Sequence, residues 1–87
     1  DLSRFSNLVA LELIRYDLGE NALAGIENLK NLEYLSLGKS RVHSRNISKI
    51  GHFTKLKYLE IPDCQINDDT LTRIAANNRE LYHLDVS

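Results

Sequence analysis

Apolar residues return along this chain in fixed columns. Leu8, Leu32, Leu56 and Leu81 stand 24, 24 and 25 residues apart. Three positions after each comes Leu11, Leu35, Leu59 or Leu84, and two further on Leu13, Leu37, Ile61 or Val86. Later columns hold Leu18, Val42 and Ile66, then Leu23, Ile47 and Leu71, then Ile26, Ile50 and Ile74. A last column holds Leu29 and Phe53 but breaks at Asn77, and Leu2 and Phe5 continue the frame backwards. One Leu-x-x-Leu-x-Leu run carries little information, whereas six columns in register mark an internal repeat.

Each unit changes period partway through. Around "ALELI" and "YLSLG" apolar and polar residues alternate, so Leu11 and Leu13 face one way and Glu12 the other, as in a half-buried strand. Further on, apolar residues recur at spacing three, in Leu23, Ile26 and Leu29 or Ile47, Ile50 and Phe53, which predicts one face of a helix or 3₁₀ turn. Ser44 and Asn67 are expected as N-caps, and Asp68 and Asp69 suit the positive end of the third helix. A single strand and helix cannot bury their own apolar faces, but stacked copies can. Parallel strands pack about 4.8 Å apart and helices roughly 8–10 Å apart, so such a stack curves toward its strands.

These columns resemble the leucine-rich repeat, whose signature is LxxLxLxx(N/C)x(L/I). The third copy, "LKYLEIPDCQINDDTLTRIAANNREL", is similar to the cysteine-containing subclass found in F-box substrate receptors of ubiquitin ligases and related intracellular adaptors. Cys64, Ile66, Asp68, Leu71, Ile74 and Ala75 fall on that subclass's Cys, Ile, Asp, Leu, Leu and Ala. Three features depart from it. A single residue separates Cys64 from Ile66 where two are usual, Asn78-Arg79 replaces Cys-Pro, and Tyr16 and Ser40 stand where Asn or Cys is expected. The resemblance implies an α/β fold, a leucine-rich-repeat solenoid in a horseshoe segment. Parallel strands would line its concave face, with helices or 3₁₀ turns on the convex face. It also implies a protein–protein interaction module, the substrate-recognition part of a ubiquitin-ligase receptor or an intracellular adaptor. The alternative is a structural spacer without its own ligand.

Residues 1–87 read as one segment of about three and a half repeats, an excerpt of a longer solenoid whose neighbouring repeats cover its ends. The chain is too short for two ordinary domains. Cys64 is the only cysteine, which rules out an internal disulfide, and its position in the turn below a strand predicts a packing role. His43, His52 and His83 are scattered, so no zinc-ligand spacing and no cofactor is read. A formal net charge of −1 gives no pull toward nucleic acid or an anionic membrane. No apolar run approaches the roughly 18 residues of a membrane span, and no signal segment opens the chain. These features predict an intracellular protein, cytoplasmic or nuclear. Asn46-Ile47-Ser48 fits the N-glycosylation sequon, a pattern common by chance.

Candidate chemistry lies between the strand leucines. One outward column reads Ala10, Tyr34, Tyr58, His83; the next Glu12, Ser36, Glu60, Asp85; a third Ile14, Gly38, Pro62. The expected binding residues are Tyr34, Tyr58 and His83, flanked by Glu12, Glu60 and Asp85, a surface suited to a basic protein partner. Glu60 and Asp85 could in principle split their pKa values and act as acid and base. A flat, open strand surface without a pocket or nucleophile argues against an enzyme. Lys30, Lys49, Lys55, Arg73 and Arg79 fall between helix columns and are expected on the solvated convex side.

Overall fold

The repeated alternation around the middle leucines yields four short strands in the computed structural model, which describes residues 2–62 and 66–86. They are β1 (Ala10–Glu12), β3 (Tyr34–Ser36), β5 (Tyr58–Glu60) and β6 (His83–Asp85), in one parallel sheet of order β1-β3-β5-β6. Between them, β2 (Asp17–Leu18) and β4 (Arg41–Val42) pair in parallel as a second, two-stranded sheet. The chain is thus a small α/β unit built on parallel strands. Leu11, Leu35, Leu59 and Leu84 are Cα partners in successive strands. A slip by one residue would turn every leucine to the other face, so burying this ladder sets the register. Leu35 and Leu59 are fully buried, while Leu84 in the edge strand is 42% exposed.

Each return from one main strand to the next is helical to a different degree. In the first unit it is a turn followed by a 3₁₀ stretch, Ile26–Asn28. Gly25 precedes it with φ 88°, a left-handed conformation that interrupts a regular helix and favours glycine. In the second it is α1 (Ser44–Ile50) and in the third α2 (Asp68–Asn77). The longer third unit accommodates the longest helix. Asn67 caps α2 as its pattern predicts, accepting the Thr70 N–H at 2.8 Å, with Asp68 and Asp69 in the first turn. The expected cap on α1 is displaced by one residue. His43 Nδ1 accepts the Arg45 N–H at 3.1 Å, and Ser44 is already the first helical residue. The imidazole acceptor lies two residues before that N–H, the usual reach of an N-cap side chain.

Leu23, Ile26, Leu29, Ile50, Ile61 and Ile74 close the interior between sheet and helices. Fully burying such a side chain stabilises by roughly 1.5–3 kcal/mol. Several polar groups lie inside and tie neighbouring units together. Ser40 Oγ donates to the Leu13 carbonyl at 2.9 Å and accepts the Tyr16 N–H at 3.1 Å. Serine here joins the first two units, while Tyr16, one repeat earlier, is 58% exposed. Asn46 is wholly buried, its Nδ2 donating to the Gly19 carbonyl at 2.9 Å. Packing the sequon asparagine against the preceding unit leaves no room for a glycan. Where the apolar column breaks at Asn77, the buried place falls one residue later, on the polar Asn78. Cys64 lies outside the described residues. Among those described, no helix is long and apolar enough to cross a membrane.

Candidate functional site

The leucines of the main strands turn inward, so the residues beside them form the open face of the sheet. Parallel pairing brings Tyr34 beside Tyr58 and Tyr58 beside His83. Their rings stack: Tyr34 and Tyr58 have centroids 4.4 Å apart and planes 9° from parallel, and Tyr58 and His83 are 4.3 Å and 5° apart. Tyr82 adds an edge contact to Tyr58 at 6.4 Å. One strand further, the partner of Tyr34 is Ala10, whose methyl group presents no ring to that side.

The acidic column divides into two settings. Glu12 is exposed and accepts a long hydrogen bond from the Tyr34 hydroxyl, 3.4 Å to Oε2. Partial desolvation of Tyr34 pushes its phenol pKa up, and the neighbouring Tyr58 and Glu12 act in the same direction. Glu60 is half-buried and held by the Ser36 hydroxyl, which donates to Oε1 at 2.6 Å. Ser36 is buried at 1% exposure, so it serves as a seat for the Glu60 carboxylate instead of interrupting an exposed acidic stripe. Asp85 is half-buried beside Glu60 in the next strand.

The expectation of a flat face without a pocket is corrected at the carboxyl ends of the strands. A half-open groove of about 440 Å³ lies there, lined by Ile14, Arg15, Gly38, Lys39, Glu60, Pro62 and Asp85. Arg15 and Lys39 occupy the same place in successive units and share a left-handed backbone, with φ 64° and 59°. A cation recurring two residues after Leu13 and after Leu37 was the available sequence signal for them. Gly38 makes room for Glu60: a Cβ there would stand 2.7 Å from Glu60 Oε1.

No family model, curated protein or solved structure matches the chain.

Its surface chemistry therefore rests on its own geometry. Lys30, Lys55, Arg73 and Arg79 are exposed and Lys49 half-buried, with Lys55 Nζ donating to Asn31 Oδ1 at 3.0 Å. These residues belong to the helical returns and the turns that follow them. Near the stack, Lys57 pairs with Glu33 at 3.2 Å, and this contact raises the Lys57 pKa. Among the described residues, no group of three or more His, Cys, Asp or Glu could hold a metal ion. The open face offers a rigid aromatic slab with carboxylates along one side, an arrangement suited to contact with a cationic surface.

Proposed function

We propose that the chain is a segment of a leucine-rich-repeat solenoid that binds a protein partner through its concave strand face. In this reading it works inside the cell as the recognition part of a ubiquitin-ligase substrate receptor or a related adaptor, and not as an enzyme. The 24-residue column pattern, with one parallel strand and one helical return in each unit, supports the repeat assignment. The observation that carries the binding role is the continuous stack of Tyr34, Tyr58 and His83. Stacking restrains these rings before any partner arrives, so little side-chain entropy remains to be lost on contact. Tyr34 has one ring face toward Ala10 and its hydroxyl toward Glu12. An arginine or lysine of the partner could lie over that face with its charge near the Glu12 carboxylate.

The test is affinity capture from cells with the full-length protein, comparing Tyr34→Ala/Tyr58→Ala with Lys49→Ala/Arg73→Ala. The tyrosine variant is expected to lose partners that the wild type and the helix-side variant retain. Raising ionic strength should weaken capture by screening the carboxylates. Loss only in the helix-side variant would reject the strand-face reading, and identical capture by all three would favour a spacer.

A further inference from the structure

The tyrosine stack ends at Tyr34 with one ring face unstacked. In this column each residue lies beside its equivalent in the next strand, and Tyr34 and Tyr58 stack 4.4 Å apart and 9° from parallel. The strand partner of Tyr34 on the other side is the exposed Ala10. A methyl group there leaves a slot about as thick as a ring, floored by Ala10 and walled by the Tyr34 face. Among the described residues, no ring and no cation lies over that wall. Glu12 follows Ala10 by two places and so stands on the same face of β1. Its carboxylate accepts from the Tyr34 hydroxyl, 3.4 Å from Oε2, and among the described residues it makes no other hydrogen bond and no ion pair.

We infer that this slot receives an arginine side chain of the bound protein, in preference to lysine; the inference rests on the strand-face reading and names the group recognised. A guanidinium is flat, so it continues the stack over Tyr34, and its N–H donors lie in its own plane, where they reach the Glu12 carboxylate at the edge of the slot. The Tyr34 hydroxyl engages only Oε2 of Glu12, which leaves Oε1 to accept from the guanidinium. An ammonium is a compact, strongly hydrated charge without a plane to stack. A flat neutral group stacks but leaves the carboxylate without a counter-charge. Arginine alone supplies both the plane and the charge.

The experiment adds N-acetyl-arginine N-methylamide, or its lysine or citrulline counterpart, to the full-length protein and follows the backbone amide resonances of Ala10, Glu12 and Tyr34. The arginine compound is expected to shift them saturably, with a dissociation constant of about 10 mM or below. Lysine lacks the plane and citrulline the charge, so each should bind about fivefold more weakly or worse. Glu12→Gln should weaken the arginine compound about fivefold. Ala10→Phe, which fills the slot with a further ring, should abolish its binding, with unchanged Leu35 and Leu59 resonances reporting an intact fold. If Ala10→Phe disturbs the fold, Glu12→Gln decides. Absence of saturable shifts would overturn the inference, as would equal binding of the lysine or citrulline compound or indifference to Glu12→Gln. Affinity capture separates it from the reading on which it rests. Partners lost by Tyr34→Ala/Tyr58→Ala but kept by a folded Ala10→Phe would leave the strand face a protein-binding surface and overturn the arginine slot alone.

Discussion

The side-chain carbonyl of Asn78 accepts the backbone N–H of Leu56 at 2.8 Å, although 22 residues separate the two. The same side chain donates through Nδ2 to the Ile74 carbonyl at 2.8 Å, with only 2% of the residue exposed. Leu29 and Phe53 hold the equivalent place in the preceding units, three residues before Leu32 and Leu56. In the third unit a polar residue takes that place and ties the end of the unit to its first residue, Leu56.

Asn78→Ala is therefore expected to cost about 2–3 kcal/mol, because it leaves the buried Leu56 N–H without its partner and opens a small cavity. Asn78→Leu restores the apolar column but supplies no acceptor, so a loss of about 1–2 kcal/mol is expected there. Urea denaturation measures both. A leucine variant as stable as the wild type would mean that the Leu56 N–H finds another acceptor.

The leucine ladder should dominate stability over the tyrosine ladder. Leu35→Ala or Leu59→Ala removes a fully buried side chain, at a cost of about 2–5 kcal/mol. Tyr34→Ala loses one stacking contact on a half-buried ring, worth about 1 kcal/mol. A denaturation midpoint of Tyr34→Ala at or below that of either leucine variant would contradict the inward and outward assignment of the strands.

Tyr34 links stability to alkaline pH. Its folded-state pKa lies above the ordinary value of 10.0, chiefly through desolvation, with Tyr58 and Glu12 adding to the effect. As pH rises through the ordinary value, the unfolded chain releases this proton first and the folded state holds more protons. The stabilisation tied to the protonated phenol is complete below that pH and is lost as pH climbs through the raised folded-state pKa. Tyr34→Phe should show a shallower fall in denaturation midpoint between about pH 9 and about pH 11, a window around the reference tyrosine pKa. Equal slopes in the two proteins would remove Tyr34 as the source.

Asn46 should carry no glycan in the folded protein, even when produced in a secretory host, because its side chain is buried against Gly19. Gel mobility before and after glycosidase treatment checks this. Asn46→Ala should lower stability by about 1 kcal/mol, since it strips the Gly19 carbonyl of its donor. The loss is moderated because Asn46 Oδ1 already lies buried without a partner among the described residues.

The sequence by itself determined the parallel strands, their register and the inward leucines. A side-chain period of two admits one burial pattern, and the 24-residue return repeats it in each neighbour. It also placed Tyr34, Tyr58 and His83 in one column, because equal offsets in paired strands become neighbours. Tertiary structure decided what the remaining polar residues do. Ser36 occupies the same column as Glu12 and Glu60, yet it is buried because the Glu60 side chain folds over it beside Gly38. Ser40 and Asn78 read as departures from the repeat pattern, yet Ser40 hydrogen-bonds backbone groups of the preceding unit and Asn78 the backbone at the start of its own. The groove lined by Arg15, Lys39 and Glu60 includes two left-handed backbone positions and a glycine whose missing Cβ leaves room for the Glu60 carboxylate. Column patterns report which side of an element is apolar. Hydrogen bonds across 24 to 27 residues, and the close approach of a carboxylate to a glycine, arise only once the units are stacked.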